Sequence, residues 1–163
     1  MIRMGMMALA LAGAGLAGCS AETPSSEAAE QAGRKVATVP VTITTAQGKH
    51  RFAVEAARTA AEQAQGLMYR TDLKPDGGML FAPYPPEGGA PREANFWMKN
   101  TPTPLDILFI RADGTIARIA ENTVPFSEAQ IPSGEPIAAV LELVGGRSAE
   151  LGISEGDSVS WPK

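Results

Sequence analysis

One run of fourteen residues, Phe96 to Phe109 (Phe-Trp-Met-Lys-Asn-Thr-Pro-Thr-Pro-Leu-Asp-Ile-Leu-Phe), constrains the fold more than any other. Apolar residues flank a polar centre that holds Pro102 and Pro104. Proline lacks a backbone N–H and cannot donate to a strand ladder, so the run reads as a strand, a corner and a second strand. Asp113-Gly114 then supplies a hairpin turn, and Thr115 to Glu121 returns. With those two residues as the loop, Ile110 is expected opposite Ala117, Leu108 opposite Ile119 and Asp106 opposite Glu121. Asp106 shares a face with Leu108 and Ile110, while Ile107 and Phe109 make the other face apolar too. The strand therefore reads as covered on both sides, with a carboxylate at its end. Such a group is costly to bury unless it is paired or hydrogen-bonded. Lys99, Asn100, Thr101 and Arg70 are the nearest polar side chains in motif terms. The alternative is that Asp106 accepts backbone N–H bonds and stiffens the proline corner. If Asn95 to Asn100 is extended, Phe96, Met98 and Asn100 share one face and Trp97, Lys99 and Thr101 the other.

The same kind of pattern recurs along the chain. Val39 to Thr45 alternates and is rich in β-branched residues. Ala46 to Lys49 forms a turn, and Arg51 to Ala56 alternates again, giving a hairpin. His50 sits at that turn with no second histidine to share a metal. Thr59-Ala60-Ala61-Glu62 has capping-box spacing and predicts a helix over about 60–69, with Ala60, Ala64, Leu67 and Met68 facing the core. Gly66 within it is read as allowing close approach to a strand. Lys74 to Gly78 is a turn, Met79 to Phe81 a short buried strand, and Ala82 to Ala94 an irregular Pro/Gly-rich loop placed to cover a site. Ile137 to Val144 reads as a central strand with one charge, Glu142, to which the reasoning for Asp106 applies again. Arg147 to Leu151 makes one helical turn, and Ser158 to Trp161 closes the sheet. These elements predict one mostly β domain over 36–163: a compact antiparallel sandwich or barrel with one principal short helix and a one-turn helix near 147–151.

The N-terminal residues carry a different signal. Arg3 precedes a short apolar run, Met6 to Ala12, and Leu16-Ala17-Gly18-Cys19 follows. The run is too short and Gly-rich to span a bilayer and reads as an export signal over 1–18. Leu-Ala-Gly-Cys resembles the bacterial lipoprotein signal, which implies cleavage before Cys19 and lipidation of that residue. Several acyl chains, each contributing about 0.8 kcal/mol per CH₂, would hold the protein at the membrane. Ser20 rather than Asp follows the cysteine, so the periplasmic face of an outer membrane is expected. Residues 19–35 are small and polar and read as a flexible tether with a reach of about 20 Å. Cys19 is the single cysteine, so an internal disulfide is ruled out. Beyond residue 18 the chain carries 13 basic and 18 acidic residues, a net charge of −5. That balance argues against nucleic acid and against anionic lipid surfaces.

Taken in order, Thr59-x-x-Glu62-x-x-x-Gly66-Leu67-Met68-x-Arg70, Gly78-Met79-Leu80-Phe81, Phe96-Trp97-Met98-Lys99-Asn100-Thr101-x-x-Pro104-Leu105-Asp106-Ile107, Asp113-Gly114, Val140-Leu141-Glu142-Leu143 and Gly152-Ile153-x-x-Gly156-Asp157 resemble domain-of-unknown-function family 192. The resemblance spans the domain and implies a compact, mostly β fold with one principal helix. It brings no established activity. The long insertion at Ala82 to Ala94 departs from the pattern. Motifs for nucleophilic, phosphate-binding or zinc chemistry are missing from the sequence. Three functions remain. The first is a binding module for a small polar ligand, glycan or peptide, in which Trp97 and Tyr84 stack and Arg70, Lys99, Asn100, Thr101 and Asp106 make polar contacts. The second is a structural or assembly protein of the envelope, which predicts an exposed apolar patch without a polar pocket. The third is a hydrolase or lyase using Asp106 or Glu142 as general base beside Lys99, which needs those groups on one open pocket. Asp106, Glu121 and Asp157 offer oxygen atoms, but no metal-loop spacing joins them, and no cofactor is expected.

Overall fold

The computed structural model describes residues 37–162; the signal, Cys19 and the whole of the tether over 19–35 lie outside them. Strands β1 (Thr38–Thr45) and β2 (Gly48–Ala57) form the expected hairpin, with Thr45 opposite Gly48. His50 lies within β2, opposite Ile43, rather than at the turn. Helix α1 (Ala60–Gln65) follows, then β3 (Gly78–Phe81), β4 (Asn95–Phe96), β5 (Leu105–Ile110), β6 (Ile116–Ala120), β7 (Ile131–Pro132), β8 (Ala139–Val144), helix α2 (Arg147–Leu151) and β9 (Ser158–Ser160). Seven strands make one sheet in the order β6-β5-β8-β3-β2-β1-β9. A bridge between Thr115 and Ser158 joins its two edges, so the sheet is a nearly closed barrel. All its strand pairs are antiparallel except β2–β3, which α1 connects as a parallel crossover. Strands β4 and β7 form a separate two-stranded ribbon.

Two apolar layers follow from strand alternation. Val41, Ile43, Phe52, Val54, Leu108, Ile110, Leu141 and Leu143 come from strands all around the sheet and fill the barrel. Met79, Phe81, Ile107, Phe109 and Val140 point outward from β3, β5 and β8, and are covered by the segments that carry Leu67, Ala94 and Met98. Burial on both faces explains why β5 and β8 read as unbroken apolar runs.

The helix is shorter than its capping box and apolar spacing predict. Thr59 Oγ1 accepts from the Glu62 N–H and the Glu62 carboxylate accepts from the Thr59 N–H, as expected. Gly66, however, has φ 50° and ψ −138°, a conformation that ends the helix and that essentially only glycine adopts. Ala60 and Ala64 face solvent; of the expected core positions Leu67 alone is buried, just beyond the helix. The strand expected over Asn95 to Asn100 is likewise cut to β4. Met98 N–H bonds the Ser127 carbonyl, and Asn100 turns the chain at φ 53°.

Candidate functional site

Asp106 is fully buried. Its Oδ1 accepts from the N–H groups of Asn122 (2.7 Å) and Gly146 (2.9 Å), and its Oδ2 accepts from Ser148 N–H (2.7 Å). One carboxylate thus ties the end of β5 to the segment after β6 and to the first turn of α2. A carboxylate satisfied by three backbone donors is a structural staple. It does not line the pocket described below, and none of Lys99, Asn100, Thr101 or Arg70 is its partner.

Arg70 has its own partners. Its Nη1 lies 2.8 Å from Glu55 Oε1 and its Nε 2.7 Å from Asp72 Oδ1, so it clamps the segment after α1 to β2. Those carboxylates raise the Arg70 pKa, the Asp72 hydrogen bond first, and Arg70 in turn holds Asp72 below the usual carboxylate range. Asn100 is placed by its backbone: its carbonyl accepts from Tyr69 N–H at 2.7 Å, and the Thr101 carbonyl accepts from Phe126 N–H at 3.1 Å. Tyr69, Asn100, Asn122 and Phe126 are the non-glycine residues with positive φ among the described ones. All four sit on segments that meet at the proline corner. The large hydrophobic side chains left exposed among the described residues, Tyr69, Trp97, Val124 and Phe126, surround the same corner. Bulky residues held in a left-handed conformation cost about 1–3 kcal/mol each, and such strain clusters at working surfaces.

A pocket of about 310 Å³ opens beside this corner on the outer face of the barrel. Phe81, Tyr84, Phe96 and Trp97 form its aromatic walls. Phe96 meets Phe81 edge-on with ring centroids 5.2 Å apart, and Tyr84 tilts against Phe96 at 6.1 Å. Lys99 stands at the rim with Nζ 5.0 Å above the Trp97 ring and 3.9 Å from Glu128. The capping box positions Gln63, whose Nε2 donates to the carbonyls of Ala57 (3.1 Å) and Pro83 (2.8 Å). Those two bonds fix the amide orientation and leave its buried Oε1 without a partner, and Gln65 Nε2 is buried and unpaired as well.

Glu142 lies on this pocket. Strand β8 places Leu141 and Leu143 inside the barrel and Glu142 outside, between Met79 of β3 and Ile107 of β5. The residue is 4% exposed, and no hydrogen bond or ion pair among the described residues reaches its carboxyl. Burial alone pushes its pKa from 4.5 up to about 8. At neutral pH the carboxyl is mostly protonated and can both donate and accept a hydrogen bond.

The structure therefore divides the residues singled out in the sequence. Trp97, Lys99, Thr101 and Glu142 share the pocket, joined by Tyr84. Arg70, Asn100 and Asp106 do not line it. Asp106, Glu121 and Asp157 do not converge, and no group of three metal-ligating side chains occurs among the described residues. Sequence reasoning passed over Gln63 and Gln65 altogether. The early helix stop at Gly66, which turns their face toward the pocket, was the available signal.

The chain matches solved structures closely. A protein of unknown function from Novosphingobium aromaticivorans is 49% identical over 76% of this chain and 85% of its own, with a TM-score of 0.71. A Sinorhizobium meliloti protein, described provisionally as a transcription regulator, is 48% identical over 77% of this chain and 95% of its own, also with a TM-score of 0.71. No curated protein matches. The family model DUF192 (Uncharacterized ACR) matches residues 41–161, which is nearly all of the barrel, and the chain belongs to that family.

Proposed function

We propose that this protein is a binding module for a small polar ligand, held at the cell envelope by lipid on Cys19. The supporting observation is Glu142. A buried carboxyl without a partner destabilises a fold, and nothing in this barrel requires one at that position. Its place on an aromatic-walled pocket, beside the unpaired amide groups of Gln63 and Gln65, supports a ligand that completes those bonds. The envelope reading rests on the export signal and on Leu16-Ala17-Gly18-Cys19.

A thermal-shift screen against envelope sugars, peptides and small metabolites, run with Glu142→Gln in parallel, tests the reading. A ligand at a hundred times its Kd adds about 2.7 kcal/mol, which raises the melting temperature visibly. A hit lost in Glu142→Gln supports the pocket. If nothing binds and Glu142→Gln is merely more stable, the pocket is a packing defect.

A second reading is proton-transfer catalysis by Glu142, because a carboxyl whose pKa lies near neutrality is matched to that work. Asp106 is not its base, since three backbone donors occupy it. The assembly reading keeps the exposed apolar patch around the corner, but it predicted that no polar pocket would adjoin it.

A further inference from the structure

Resting on the ligand-binding reading above, we propose that the ligand's anchoring group is a compact ammonium cation, seated between the Glu142 carboxylate, Gln63 Oε1 and the aromatic walls of the pocket. Two unpaired acceptors on one pocket ask for a multiple donor. Glu142 is its only acid, and the fold supplies no cation to it: Lys99 is engaged with Trp97 and Glu128. Gln63 presents an acceptor because its amide nitrogen is tied to Ala57 and Pro83. An ammonium group donates to both and gains from ring faces within about 6 Å. The pocket's aromatics already behave this way toward the protein's own cations. Lys99 Nζ sits over Trp97 at 5.0 Å, and the Arg92 guanidinium lies over Tyr84 at 5.8 Å. The unpaired donor on the same pocket, Gln65 Nε2, suits an acceptor elsewhere on the ligand. The net charge of −5 beyond residue 18 favours the approach of a cation.

This chemistry sets the sign of a pH dependence. A cation needs Glu142 ionised, so binding strengthens as pH rises toward the carboxyl's pKa of about 8 and levels off above it. An anion or a neutral acceptor would use the protonated carboxyl and show the opposite trend. The other titratable side chains on the pocket are Lys99, from the corner, and Tyr84, from the loop after β3. Glu128 and Arg92 stand behind them. On the flanking strands Met79 and Ile107 oppose Glu142, and neither titrates.

The test titrates the full chain with n-propylammonium, propionamide and propionate by ligand-observed NMR at pH 6 and pH 9, with Glu142→Gln and Trp97→Ala alongside. Trp97 is 40% exposed, so its truncation leaves the core intact. We expect n-propylammonium to bind roughly ninety-fold more tightly at pH 9 than at pH 6, which is the ratio of ionised Glu142 for a pKa of about 8. The pH dependence should vanish in Glu142→Gln and the binding should fall in Trp97→Ala. If propionamide or propionate binds in a Trp97-dependent way while n-propylammonium does not, the cation inference is overturned and the pocket reading stands. The same holds if n-propylammonium binds with no pH dependence, or equally well to Glu142→Gln. If none of the three probes binds, both fail.

Discussion

Replacing Asp106 by asparagine changes one oxygen to an NH₂ group and nothing else in size. In the native protein, Oδ1 takes two N–H bonds and Oδ2 takes one. Asparagine keeps its carbonyl oxygen at the Oδ1 position, so the bonds from Asn122 and Gly146 survive but lose the carboxylate's charge. Its NH₂ then faces Ser148 N–H, donor against donor. Charge-assisted hydrogen bonds contribute about 1.5–3 kcal/mol against about 1 for neutral ones, and a buried unsatisfied donor costs about 1–3. Two weakened bonds, one lost bond and two stranded donors bring the destabilisation to about 3–5 kcal/mol. That is a large part of the 5–15 kcal/mol that holds a typical domain folded. For a domain near this size it lowers the melting temperature by roughly 10–20 °C. Calorimetry and urea unfolding measure the total, and hydrogen exchange at the Asn122, Gly146 and Ser148 amides locates it. An Asp106→Asn protein within about 1 kcal/mol of the native one, with those three amides still protected, would refute the staple.

Other perturbations separate the remaining roles. Glu142 titrates above its unfolded value, so its protonated form stabilises the fold at low pH and that contribution is lost as pH rises from about 4.5 through about 8. Over that window Glu142→Gln should gain on the native protein by about 1.4 kcal/mol per pH unit in urea unfolding, and a flat difference would mean that the carboxyl is solvated. Arg70→Ala should cost about 1–2 kcal/mol by freeing Glu55 and Asp72, and Arg70→Lys should recover only part of it because the fork is gone, as thermal denaturation of the two variants would reveal. Gly78→Ala puts a Cβ 2.0 Å from the Glu142 carbonyl at a φ of 155°, so the β3–β8 pairing should fail and soluble expression should collapse. A folded, stable Gly78→Ala protein would place that carbonyl wrongly.

Local rules in the sequence carried as far as local chemistry does. The capping box, the Ala46-Gln47 turn and the pairing of Leu108 with Ile119 all depend on neighbours within a few residues, and each is present. The register beyond Phe109 was not legible. Ile110 pairs with Ile116 rather than Ala117, because the Asp113 carboxylate accepts from Thr115 N–H and Arg111 N–H bonds the Thr115 carbonyl. That larger turn inserts a bulge between Phe109 and Ile110. A two-residue loop was the simpler inference from Asp-Gly, and only the side-chain bond decides against it.

The two acids show where sequence reading stops. Asp106 and Glu142 each interrupt an apolar strand, and the physics of an isolated buried carboxyl treats them alike. What divides them is supplied from far along the chain. Asp106 lies at the end of β5, where the backbone N–H groups of Asn122, Gly146 and Ser148 are free because one segment has just left β6 and another is starting a helix. Glu142 lies in the middle of β8, where both neighbouring strands spend their N–H groups on the ladder and none is left for a side chain. A carboxyl at a strand end can therefore be absorbed by the fold, whereas one in a central strand must find a side chain, a proton or a ligand. Here no side chain comes, burial keeps the carboxyl protonated, and the pocket above leaves room for a ligand.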